Sequence, residues 1–220
     1  MPESRFIDVS HSIEHGMTTY AGIPGPIISD YLSREDSRSR YAPGTEFHIG
    51  KIEMVTNTGT YLDSPAHRYA GGIDLAELPL AALANLECLV ASIPSTIGPA
   101  IDRLPFPEAD IRRRAVLVHT GWDRHWRTKQ YFEGHPYLTG RLAAWLVAAG
   151  AALVGIDSYN IDSTDTGERP VHSTLLKNDI PIVEHLCNLG DVPARGGRFF
   201  AVPPKVNGLG TFPVRAFVIA

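Results

Sequence analysis

Apolar positions along this chain come mostly in short runs punctuated by glycine and proline, the pattern of strands rather than long helices. Alternating faces over 6–13 predict a strand, and Ile52-Glu53-Met54-Val55 predicts another. Apolar stretches at 87–91, 115–121, 151–157, 180–186, 198–204 and 214–220 read as further strands, several of them buried on both sides. Thr139 is a good N-cap and Gly150 a good stop for a helix over 140–149. A short helix starts at Glu108, and another spans 173–178, opened by Pro170-Val171-His172. The strand–helix–strand order from 115 to 157 predicts a crossover connection and a mixed sheet. The fold class expected is therefore α/β, strand-rich with few helices, in a single domain over 1–220.

Polar residues mark where chemistry could sit. The stretch Thr56-Asn57-Thr58-Gly59-Thr60-Tyr61-Leu62-Asp63-Ser64-Pro65-Ala66-His67 follows a strand and is broken by Gly59 and Pro65. If it stays extended, Asn57, Tyr61 and Asp63 point to one side, and the Ser-Pro-Ala turn brings His67 back over them. An acid and an imidazole on such a loop suit metal ligation or proton transfer. His172 and Glu184 lie at a helix start and a strand end that can converge. Asp157, Asp162 and Asp165 read as turn formers before metal ligands. His48 reads as a satisfied histidine before a ligand. The glycine- and proline-rich segment 16–26, which holds Tyr20, is a loop, and the polar segment 30–44 is either mobile or an interface arm. Trp122, His125, Trp126 and Tyr131 follow a strand, either lining a pocket or packing at a subunit contact.

Composition narrows the class. With 220 residues, 44% hydrophobic and 20% charged, the chain suits one well-buried core. A net charge of −4 gives no footprint for nucleic acid or an anionic membrane. No apolar run is long enough to span a bilayer, and the N-terminus has no signal-peptide pattern. Cys88 and Cys187 form no Cys-x-x-Cys motif and are expected to be buried and reduced, as in a cytoplasmic protein. No nucleophile elbow, phosphate loop, His-Glu-x-x-His or dinucleotide fingerprint is present.

The stretch 57–67 resembles the signature of the cyclase-like amidohydrolases, the family of bacterial kynurenine formamidase and isatin hydrolase, which runs His-x-Gly-Thr-His-x-Asp-x-Pro-x-His. Gly59, Thr60, Asp63, Pro65 and His67 match it; Asn57 and Tyr61 stand where the family has histidines. The order of elements is similar from about residue 6 to 220. The resemblance implies the swivelling β/β/α-type fold, a mixed sheet or barrel, and a dimer or tetramer whose loops close neighbouring sites. It implies a metal-dependent hydrolase of an amide, formamide or lactam in a small aromatic molecule, working through a metal-activated water. Asp63, His172 and Glu184 are then the expected ligands of zinc or manganese, one ion per chain rather than two. His67 is the proton carrier, Tyr61 an oxyanion donor, and Asn57, Trp122 and Tyr20 line the site. Two other readings stay open: a metal-free lyase, dehydratase or isomerase using His67 and Tyr61, and a binding protein without catalysis.

Overall fold

A computed structural model describes residues 4–220. The longest apolar runs form the centre of its main sheet, as β5 (Leu86–Ser92), β7 (Ala115–His119), β9 (Leu153–Ile156) and β10 (Ile182–Glu184), all mutually parallel. Alternation sorts their side chains between two cores. Cys88, Val90, Leu117, Leu153 and Val183 enter one, while Leu89, Val116, Val118, Val154, Ile156 and Ile182 enter the other. Burial on both faces explains why these strands read as continuous apolar runs.

The sheet is completed on both sides by antiparallel strands. Beyond β5 lie β11 (Arg198–Phe200), β13 (Phe217–Ile219) and β1 (Phe6–Asp8); beyond β10 lie β4 (Tyr61–Asp63) and β12 (Thr211–Pro213). The result is a curled, nine-stranded mixed sheet, as expected. Helices α2 (Gly140–Ala149) and α3 (Pro170–Lys177) cover one face, contributing Leu142, Leu146, Val171 and Leu175 to the second core. The α2 boundaries are those predicted: the Thr139 hydroxyl accepts from the Leu142 amide at 3.2 Å, and Gly150 closes the helix at φ 76°. Cys88 and Cys187 are free and buried, and burial pushes their thiols up to about 11 and about 12.

Three segments depart from the sequence reading. Residues 27–53 build an antiparallel ribbon of β2 (Ile27–Leu32) and β3 (Ile49–Glu53), joined through the short helix α1 (Arg34–Ser37). The segment 30–44 is thus part strand and part helix, and the strand expected at 52–55 ends at Glu53 inside this ribbon. The stretch expected as a plain glycine loop near 208–213 contains β12. The short helix expected from Glu108 is only a single 3-10 turn, Glu108–Asp110. A small parallel pair, β6 (Ala100–Ile101) and β8 (Tyr137–Leu138), borders the helical side.

Candidate active site

The register between β4 and β10 places the first functional pair. Tyr61 lies opposite Glu184, and Asp63 opposite Ile182. Leu62, between them, points into the core, so Tyr61 and Asp63 share the other face, as the extended reading requires. Ser64 and Pro65 then start a 3-10 turn, Pro65–His67, that lifts His67 beside Asp63. On the opposite side of Asp63 runs β12, with Thr211 paired to it.

Thr211 ties these groups together. Its hydroxyl reaches Asp63 Oδ1 at 2.5 Å and His67 Nδ1 at 2.7 Å. A carboxylate only accepts, so the single hydroxyl proton goes to Asp63 and the threonine oxygen accepts from His67 Nδ1–H. This fixes the His67 tautomer and leaves Nε2 with its lone pair. Asp162 does the same for His172 from behind: its carboxylate accepts from His172 Nδ1 at 2.7 Å and from the amides of Val171 and His172 at the start of α3. His172 Nε2 is thereby aimed at Asp63 Oδ2 and Glu184 Oε1, each 3.7 Å away.

Glu184 is buried and heavily hydrogen bonded. Oε1 accepts from the Ile161 amide at 2.6 Å, and Oε2 accepts from the Tyr61 phenol at 2.5 Å. Tyr20 joins through its hydroxyl, 2.8 Å from that of Tyr61, and Asn160 donates to Tyr20 at 2.9 Å. Burial, followed by the Glu184 charge, holds the Tyr61 phenol well above its ordinary pKa, so it is a neutral donor and not an anionic ligand. Its one proton points at Glu184, and the oxyanion role expected for Tyr61 would require breaking that bond. Burial also raises the Glu184 carboxyl.

Three donors come close enough for one cation. Asp63, His67 and His172 each offer an atom within 4.8 Å of the others. Asp63 and His172 of the expected set, Asp63, His172 and Glu184, are in this trio; His67, expected as the proton carrier, is the third member, and Glu184 Oε1 stands 3.7 Å from His172 Nε2 while accepting from Ile161. Asp63 Oδ2 is buried and has no hydrogen-bond partner, and a buried carboxylate oxygen without a partner is costly. Burial opposes a charge on His172, yet Glu184, Asp162 and Asp63 outweigh it and raise the imidazolium to about 10. The pocket is built for positive charge, and its imidazole and carboxylate donors suit a divalent ion.

A cleft of about 260 Å³ opens above this cluster, lined by Tyr20, Asn57, Tyr61, His67, His172 and Glu184 among others. Tyr20 and Asn57 therefore stand where they were expected. Trp122 does not: it lines a separate cleft with Thr120 and Pro136, and its indole donates to the Tyr131 carbonyl. The other aromatics of that segment pack inside the chain. Trp126 stacks on His11 at 4.0 Å, and the Tyr131 hydroxyl meets His185 Nδ1 at 2.8 Å. His48 pairs with Asp30 on the ribbon. Asp162 was read as a turn former rather than a ligand, and Thr211 was not singled out, since nothing in its local spacing marks it. Asp157 likewise holds the 120–121 turn through Thr120 and Gly121.

A curled mixed sheet whose adjacent strands β4 and β10 carry buried carboxylates, with imidazoles added from a 3-10 turn and from α3 beside an open cleft, defines an α/β protein with a site of acids and bases. The chain belongs to the cyclase family, whose model matches residues 7–163. It is 30% identical to a kynurenine formamidase of Geobacillus thermodenitrificans over 214 residues, 96% of this chain and 95% of that one. It is 26% identical to the kynurenine formamidase of Erythrobacter litoralis over 204 residues, 93% and 88% of the two chains. Among solved structures, isatin hydrolase A from Labrenzia aggregata superposes with a TM-score of 0.82 at 18% identity, over 99% of this chain and 94% of that one. A protein described as a potential metal-dependent hydrolase with cyclase activity superposes with a TM-score of 0.78 at 23% identity, over 99% and 98%.

Proposed function

We propose that this protein hydrolyses a formamide, or another non-peptide amide, of a small ring-bearing molecule with the help of one divalent metal ion. Its place in the cyclase family and its kynurenine formamidase relatives support a hydrolase of non-peptide C–N bonds. The observation that carries metal dependence is the buried Asp63 Oδ2, without a hydrogen-bond partner, on a carboxylate grouped with His67 and His172. A zinc or manganese ion held by these three residues would polarise the amide carbonyl and make water more acidic.

The chain's own groups do the rest. Asp162 and Thr211 hold the two imidazoles with Nε2 toward the cleft, so no reorientation is needed during reaction. Glu184, with its pKa raised by burial, accepts a proton from water and can return it to the departing nitrogen. Tyr61 and Tyr20 steady Glu184 through Oε2. Water adds its oxygen to the carbonyl carbon, the C–N bond breaks, and the products are an amine and a carboxylic acid. Asn57 and Ile23 shape the wall against which the ring lies.

A metal-free acid–base enzyme is the second reading, favoured by the Tyr20–Tyr61–Glu184 network, which is complete without an ion. Elemental analysis of untagged protein separates the two. About one zinc or manganese per chain, lost in His172→Ala, is expected. No stoichiometric metal after incubation with either ion would sink the metal-dependent reading and leave the second.

A further inference from the structure

Charge changes sign between the floor and the rim of the cleft. Glu184 lies on the floor with Asp63 buried beside His172, whereas the more exposed Arg68 and Arg169 line the walls. Both arginines are delivered by the elements that deliver the site. Arg68 caps the 3-10 turn that carries His67, and Arg169 is the residue just before α3, which carries His172.

Neither guanidinium pairs with a carboxylate among the described residues. Arg169 is half-buried, and its Nη1 donates to the carbonyls of Ser163 at 3.1 Å, Thr166 at 2.8 Å and Glu168 at 2.7 Å. Those carbonyls fix the plane of the group while its Nε and Nη2 keep no protein acceptor among the described residues. Arg68 is exposed, makes one long contact from Nε to Ser173 Oγ at 3.3 Å, and rests over the Tyr69 ring. A guanidinium held by neutral carbonyls, with donors left over at the edge of a cleft, is a preorganised receptor for a planar anion. The chain as a whole is acidic, with a net charge of −4, so these two positive groups are a local feature of the cleft.

We propose that Arg68 and Arg169 bind a carboxylate of the substrate, so that the preferred amides carry a carboxylate a few atoms from the scissile C–N bond. The proposal rests on the reading of the cleft as an amide-hydrolysing site. A carboxylate fits because its two oxygens match the fork of N–H donors, and binding at the rim leaves the amide free to reach His67, His172 and Glu184 on the floor. The arginines discriminate between substrates; the reaction itself belongs to the floor.

Two measurements test this on the full-length, metal-loaded protein. The first compares kcat/KM for 2-formamidobenzoate and for uncharged formanilide in wild type, Arg68→Gln and Arg169→Gln. The wild type is expected to prefer the acid, and the preference to fall roughly tenfold in Arg169→Gln, mainly through KM. Equal kcat/KM for the two substrates in the wild type, or equal losses on both in the variants, overturns the proposal while amide hydrolysis stands. The second measures equilibrium binding of 2-aminobenzoate against 2-aminobenzamide, which needs no turnover. If neither formamide is hydrolysed, the proposed reaction fails; tighter binding of the acid, weakened in Arg169→Gln, still supports the arginine receptor. Indistinguishable binding of acid and amide overturns it. Far-ultraviolet circular dichroism of each variant confirms that it is folded.

Discussion

A carboxylate that touches no substrate sets the direction of His172. Asp162 binds Nδ1 and two amides at the start of α3, so the imidazole cannot turn its other nitrogen away from the cleft. Asp162→Asn is expected to lower metal affinity by about 10–100-fold with the fold intact, measured by competition with a chelating dye. Titratable residues elsewhere pull stability in opposite directions with pH. His11, stacked on Trp126, is held down to about 4, chiefly by burial. The unfolded chain takes up its proton first, so the stability due to neutral His11 is present above about pH 6.5 and is lost as pH falls through about 4. Asp157 behaves inversely. Burial raises it to about 6 against the hydrogen bonds from Thr120 and Gly121, so its contribution is present below about pH 4 and is lost as pH rises through about 6. Denaturant unfolding across pH 4–7 should therefore show a shallower acid loss in His11→Phe than in wild type. At this scale Asp63 and His67 were legible because they keep their places in the family signature, and His172 and Glu184 because they stand at a helix start and a strand end that can converge. Asp162, Thr211, Arg68 and Arg169 were not, since ordinary turn or surface residues acquire their roles only when distant segments meet.

Elements differed in how much their own residues announce them. Helix α2 was readable to its ends because its cap and stop are local chemistry. The short strand β12 was missed because Gly208 and Gly210 flank or precede it and its pairing partner, β4, is far away in sequence. Gly210, like Gly72, has a packing reason. A Cβ on Gly210 would fall within the van der Waals shells of the His67 backbone and of Ala66, and one on Gly72 would lie 2.7 Å from the Pro65 carbonyl carbon. The turn carrying His67 is thus clamped between two backbones that lack side chains. Gly210→Ala is expected to destabilise the fold by about 1–3 kcal/mol through overpacking. It should also cut turnover more than Gly208→Ala, whose added Cβ has open space around it although φ is 76°. Thermal melts and steady-state rates on the two variants decide this.

For the whole molecule, the notable surface is the β2–β3 ribbon. Ile27, Ile28, Tyr31, Phe47, Ile49 and Ile52 are all exposed on it. A two-stranded ribbon bare on both faces is marginal in water, and an apolar patch of this extent marks a contact surface. The homo-oligomer implied by the family resemblance is proposed to assemble through it. Sedimentation should find a dimer or larger species in wild type, shifted toward monomer in Ile28→Asp/Ile52→Asp. A monomeric wild type at micromolar concentration would overturn this assignment. The curled sheet was legible because the strands of its centre are continuous apolar runs. The ribbon was not, because its pattern mixes apolar and charged residues in the manner of a loop. Among the described residues no helix is long and apolar enough to cross a membrane.

The two buried thiols turn the molecule into its own gauge of opening. Cys88 sits in β5, in the main sheet, and Cys187 lies three residues past Glu184 on the segment that follows β10, its amide bonded to the Val9 carbonyl. With pKa values near 11 and 12, neither is a thiolate at neutral pH, and neither is open to a reagent in the folded chain. Alkylation must then wait for the structure to part around each sulfur. Mass spectrometry after timed exposure to iodoacetamide would read two clocks in one sample, one for β5 and one for the segment after β10. Metal loading should slow the Cys187 clock more than that of Cys88, because an ion held by Asp63, His67 and His172 would brace the strand β10 that leads to Cys187, whereas β5 lies three strands away.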